Sequence, residues 1–152
     1  MDDLEDLYRE IILDHYRSPR NRGELPTPPA HRTEGFNPLC GDEIVLTVLL
    51  DDGMISDVKV DGHGCSISQS SASLMTGAVK GKKVEDARAA MRAFKRMMSV
   101  AEDGDPDADE PVDLRSLGEL AALQGVVKFP VRIKCATLAW NTLAQALVEL
   151  DA

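Results

Sequence analysis

The stretch 43–60 restricts the fold more than any other. "EIVLTVLL" (43–50) is apolar and β-branched, "DDG" (51–53) turns, and "MISDVKV" (54–60) returns. Such a pattern predicts a β-hairpin. In the returning strand Val58 and Val60 point to one side, with Asp57, Lys59 and Asp61 on the other. That alternation belongs to an antiparallel sheet with one covered face.

The covering layer is helical. Residues 2–17 place Leu4, Leu7, Tyr8, Ile11 and Ile12 on one stripe, which His15 continues as a packed or partly exposed histidine. "RSPRNRG" ends that helix at Pro19 and Gly23. Residues 23–35, with Pro26, Pro28 and Pro29, read as an extended connector containing His31. "DGHGCSISQSSASLMTGAVKG" (61–81) passes from strand through a glycine loop into a helix capped by Ser66 or Ser68 and ended by Gly81. Residues 83–100 carry Val84, Ala87, Met91, Phe94 and Met98 at helical spacing. A short helix over about 114–123 and a final helix over about 131–150, with Leu138, Leu143, Leu147 and Leu150 inward, complete the chain. The expected fold is α+β, one domain over 1–152, with a small antiparallel sheet of about three strands packed against several helices.

The segment 101–113 holds seven acids and two prolines, so it has no face to bury and is expected to be a mobile insertion. Steering toward a basic partner is its other reading. The net charge of −9 argues against general nucleic-acid binding. No run approaches the roughly 20 apolar residues of a membrane span. The acidic, amphipathic "MDDLEDLYRE" is unlike a secretion signal, and the expected location is cytoplasmic.

Three cysteines, Cys40, Cys65 and Cys135, each sit at a junction between predicted elements. An odd number in a reducing compartment disfavours a disulfide framework. Cys65 enters a helix, and Cys135 lies in the first turns of another beside Lys134 and near Arg132, so both are placed to ionise. Gly41, Gly62 and Gly64 permit backbone paths that a side chain would obstruct. With Asp42 the cysteines would make a tetrahedral zinc set, although no CxxC pair supports it. Three other readings stand beside it: buried structural cysteines with Asp42 capping a strand, a His63–Cys65 pair, and His63 as fourth ligand in place of Asp42. Spacing alone does not choose among them.

The motifs "LYREIILDHYRSPRNRG", "NPLCGD", "GHGCSISQSSAS" and "KFPVRIKCATLAW" occur in that order. In these the chain resembles the SufU branch of the IscU/NifU iron–sulfur cluster assembly family, from about Leu4 to Leu147. The resemblance implies a metal site of Cys40, Asp42, Cys65 and Cys135. It also implies a zinc-bound, sulfurtransferase-like acceptor that takes persulfide sulfur from a SufS-type cysteine desulfurase and stimulates it. Cys40 would be the acceptor, released when a partner histidine replaces it on zinc, and Lys134 and Arg132 would support the thiolate or persulfide. A downstream iron–sulfur scaffold or apo-protein would receive the sulfur. The alternative is a scaffold that builds a [2Fe–2S] cluster, or holds iron, on the same ligands. Scaffolds of the IscU type place histidine before the third cysteine, where this chain has Lys134. That difference, and the added sequence between Cys65 and Cys135, are similar to SufU-type proteins.

Overall fold

The computed structural model describes residues 3–39 and 41–152. Helix α1 (Asp3–Arg17) precedes strands β1 (His31–Asn37), β2 (Asp42–Asp51) and β3 (Met54–His63). Helices α2 (Ser66–Val79), α3 (Val84–Met97) and α4 (Leu114–Leu117) follow, then a 3-10 segment (Gly118–Lys128) and α5 (Pro130–Glu149). The strands form one antiparallel sheet in the order β1-β2-β3, as the α+β reading expects.

Alternation in β2 sends Ile44, Leu46 and Val48 into the core. On β3 the inward residues are Ile55, Val58 and Val60, a spacing that simple alternation cannot produce. Ladder partners jump from Leu49↔Asp57 to Leu50↔Ile55, so Ser56 is an extra residue, and its hydroxyl donates to Leu49 O at 3.1 Å. This bulge reverses the facing of the strand and keeps Ile55 inside.

Part of the expected connector is a strand. Residues 31–35 belong to β1, which pairs with β2 from His31↔Val48 to Asn37↔Asp42. The three prolines lie before it, and Thr33 and Asn37 turn inward against α5 and the site. At Gly35 a side chain would collide with Thr142 of α5, so this glycine lets the last helix lie directly on the strand.

The core is built from the inner sheet face, α2, α3, the 3-10 segment and α5. Trp140 stacks on Phe94 with ring centroids 4.4 Å apart, and its indole N–H donates to Ser71 Oγ at 3.1 Å. Of the expected α1 stripe, Leu7 is exposed, Ile11 and Ile12 are partly buried, and His15 is buried; the side chain of Leu4 lies outside the described part. The core reaches only the C-terminal half of α1, where His15 bridges Ser73 Oγ (2.7 Å) and Glu119 Oε2 (2.8 Å). Leu138, Leu143 and Leu147 are buried on α5, with Leu150 at its C-terminal cap.

One further boundary differs from expectation. The 114–123 helix is a single α turn followed by a 3-10 segment, because Gly118 takes φ +56° and breaks the α-helical path. In 101–113 the chain makes successive turns, and Asp105 is buried against Arg96, Oδ2 to Nη1 at 3.0 Å. Among the described residues no helix is long and apolar enough to cross a membrane.

Candidate metal centre

Asp42 opens β2, Cys65 precedes α2, and Cys135 lies in the second turn of α5. Folding brings one ligand atom from each to within 4.8 Å of the others. Among the described residues this is the one cluster of three or more such side chains that could hold a metal ion. Tetrahedral zinc, with bonds of about 2.0–2.3 Å, spaces its ligand atoms roughly 3.3–3.8 Å apart, so small side-chain adjustments would close the set. Two thiols and a carboxylate suit such an ion chemically. Cys40 lies outside the described residues.

The local architecture explains why these side chains converge. Asp42 is fully buried, and its Oδ1 accepts the Cys65 backbone N–H at 2.9 Å while Oδ2 lies 3.9 Å from Cys65 Sγ. A side chain at Gly64 would overlap the Asp42 carboxylate and the Ser68 hydroxyl, so the "GHG" loop must pass as glycine. Cys65 itself is the N-cap of α2: its sulfur accepts the Ser68 N–H at 3.4 Å. The cap is therefore the cysteine and not Ser66 or Ser68.

Cys135 is also fully buried, and Asn37 Nδ2 lies 3.9 Å from its sulfur. Arg132 stands one turn earlier on α5 and joins both thiols. Its guanidinium is held further up its already high range, first by the charge of Cys65, then by a hydrogen bond to Cys135. Lys134 is exposed. His63 is also exposed, 3.9 Å from Glu43 across the ladder, and it is not part of the converging set. The reading of His63 as a ligand in place of Asp42 therefore has no support in the geometry. His15 and His31 are engaged elsewhere, His31 with Glu149 at 2.8 Å.

Sequence reasoning missed Asn37 as part of this centre. The signal was its place in "NPLCGD", opposite Asp42 once the hairpin register is known. It also missed a set of exposed apolar side chains: Phe36, Leu39, Phe129 and Val131 are 58–64% exposed and lie within six residues of Cys40 or Cys135 in sequence.

Comparison with known proteins agrees with this architecture. The sequence profile of the NifU-like N terminal domain matches residues 7–136. The chain is 46% identical over 146 residues to the zinc-dependent sulfurtransferase SufU of Bacillus subtilis (strain 168), covering 96% of this chain and 92% of that one. It is 42% identical over 144 residues to the iron-sulfur cluster assembly scaffold protein IscU of Streptococcus pyogenes serotype M1, covering 95% and 84%. The solved structure of the SUF-system protein FiSufU from thermophilic Fervidobacterium islandicum AW-1 superposes with a TM-score of 0.79 at 36% identity, covering 91% of this chain and 94% of that one. With profile, relatives and fold in agreement over most of its length, the chain belongs to the NifU-like N-terminal domain family of iron–sulfur cluster assembly proteins.

Proposed function

We propose that this protein is a zinc-binding sulfur acceptor in iron–sulfur cluster assembly, supplied by a cysteine desulfurase that carries a persulfide. The observation that carries the reading is the convergence of Asp42, Cys65 and Cys135 from three separate elements. Similarity to a zinc-dependent sulfurtransferase over nearly the whole chain supports it. The proposed ligands are these three residues and Cys40. Bound zinc would keep the thiols ionised and protected from oxidation.

The chain's own groups supply the rest. Cys40 thiolate attacks the terminal sulfur of the donor persulfide. The donor's S–S bond breaks, its cysteine leaves as thiolate, and a new S–S bond makes Cys40 the persulfide. No net oxidation occurs. Arg132, already joined to Cys65 and Cys135, balances thiolate charge during this exchange. The exposed Phe36, Leu39, Phe129 and Val131 offer apolar contact to the desulfurase. On this reading the chain works in the cytoplasm with its partner.

Desulfurase turnover tests the reading. Wild-type protein should stimulate sulfide release from cysteine, and Cys40→Ala, Cys65→Ala and Cys135→Ala should each abolish the stimulation. A fully stimulating cysteine variant contradicts it. Similarity to an IscU scaffold favours a second reading, in which the same ligands assemble a [2Fe–2S] cluster. Anaerobic reconstitution that yields a stable cluster, transferable to an apo-protein and insensitive to zinc, would support that reading instead.

A further inference from the structure

Asn37 ends the β1–β2 ladder directly opposite Asp42, and both side chains are buried on the site-facing side. The pair divides the two cysteines between them. Asp42 accepts the Cys65 N–H, while Asn37 Nδ2 approaches Cys135 Sγ at 3.9 Å, across 98 positions of sequence. At its other end Asn37 Oδ1 accepts the Leu39 N–H at 3.2 Å, and its backbone carbonyl accepts the Gly41 N–H at 2.9 Å. Accepting from Leu39 fixes which end of the amide faces the sulfur, so the group turned toward Cys135 is the N–H donor.

We propose that Asn37 is a positioning residue of this centre: its amide orients the Cys135 sulfur, tempers its donor strength, and couples the Leu39 backbone to α5. This inference rests on the metal-binding reading above and assigns a specific residue to the support of one ligand. Donation to a thiolate withdraws negative charge from sulfur and restricts its orientation. Outer groups that hold a ligand in this way typically carry about 10–100-fold in metal affinity. A turn former alone would need only Oδ1. The two roles separate by substitution, because serine can accept the Leu39 N–H two residues on but is too short to reach the sulfur.

The test compares Asn37→Ser and Asn37→Ala with wild type in the full chain. Zinc affinity is read by chelator competition, and the thiolate-to-metal band in the cobalt(II)-substituted protein. Alkylation of Cys135 in the metal-free protein is followed by mass spectrometry. Both variants should bind zinc about 10–100-fold more weakly. Both should also shift the cobalt band and change the alkylation rate of Cys135. Wild-type-like behaviour of Asn37→Ser in all three measurements would overturn the proposal and leave Asn37 a turn former. A wild-type chain that takes up no metal would remove the metal-binding reading, and the alkylation rates then decide the Asn37 contact by themselves. Should both variants fail to fold, scalar coupling between cadmium-113 and the Asn37 amide protons in the wild-type protein decides. Its presence supports the N–H···S contact and its absence overturns it.

Discussion

The carboxylate of Asp42 and the backbone N–H of Cys65 are hydrogen-bonded at 2.9 Å, joining the first residue of β2 to the N-cap of α2. One buried side chain thereby serves both as a candidate ligand and as the brace that holds a second one. Asp42→Asn should keep the brace through its carbonyl oxygen yet lose the charge, so zinc affinity falls while the fold survives. Asp42→Ala should lose both, leaving the Cys65 N–H unpaired at a cost of about 1–3 kcal/mol. Chelator competition and urea denaturation of the two variants measure the separation.

Gly64 and Gly77 should respond in opposite directions to the same substitution. At Gly64 an added methyl meets the Asp42 carboxylate and the Ser68 hydroxyl, whereas at Gly77 nothing lies within 4 Å. Gly64→Ala is expected to destabilise by about 1–3 kcal/mol through overpacking and to weaken metal binding. Gly77→Ala, inside α2, should stabilise by roughly 0.5–1 kcal/mol and leave binding unchanged. Thermal melts with and without zinc report both effects.

Glu149 gives a defined acid limb to stability. Hydrogen bonds from Thr33 first, then His31 and Gln145, pull its carboxyl from the ordinary 4.5 to about 2. Because the folded value is the lower one, its contribution is complete above pH 4.5 and is lost as pH falls toward about 2. Glu149→Gln should therefore flatten the fall in denaturation midpoint across that window. An unchanged pH profile would show that the contact between β1 and α5 does not bear on stability.

Much of this fold was legible because hydrophobic periodicity carried it. The hairpin, the α3 face and the leucine face of α5 follow directly from Ile44, Leu46 and Val48, from Ala87, Met91 and Phe94, and from Leu138, Leu143 and Leu147. What failed to show were features created by a partner. β1 is mostly polar and becomes a strand through pairing with β2 and the close approach of α5 at Gly35. Ser56 changes the facing of β3 without any glycine or proline to announce it. In the site, Asp42, Cys65 and Cys135 were legible as candidates that the fold brings together. Asn37 was not, since an amide identifies itself only when the register puts it beside a thiol.

The acidic segment has a testable anchor. Asp105 is buried against Arg96, and its carboxyl is held below the usual range, chiefly by the Asp107 backbone N–H and also by Arg96. Asp105→Ala should release residues 101–113 and increase their cleavage in limited proteolysis, with little change at the metal centre. Equal cleavage would show that Asp105 does not pin the segment.

Elemental analysis of freshly purified protein tests the central claim most directly. A closed centre of Asp42 and the three cysteines predicts about one zinc per chain and little iron, with zinc lost in the Cys65→Ala and Cys135→Ala proteins. A wild-type chain without zinc, or one that retains zinc after both substitutions, would contradict it.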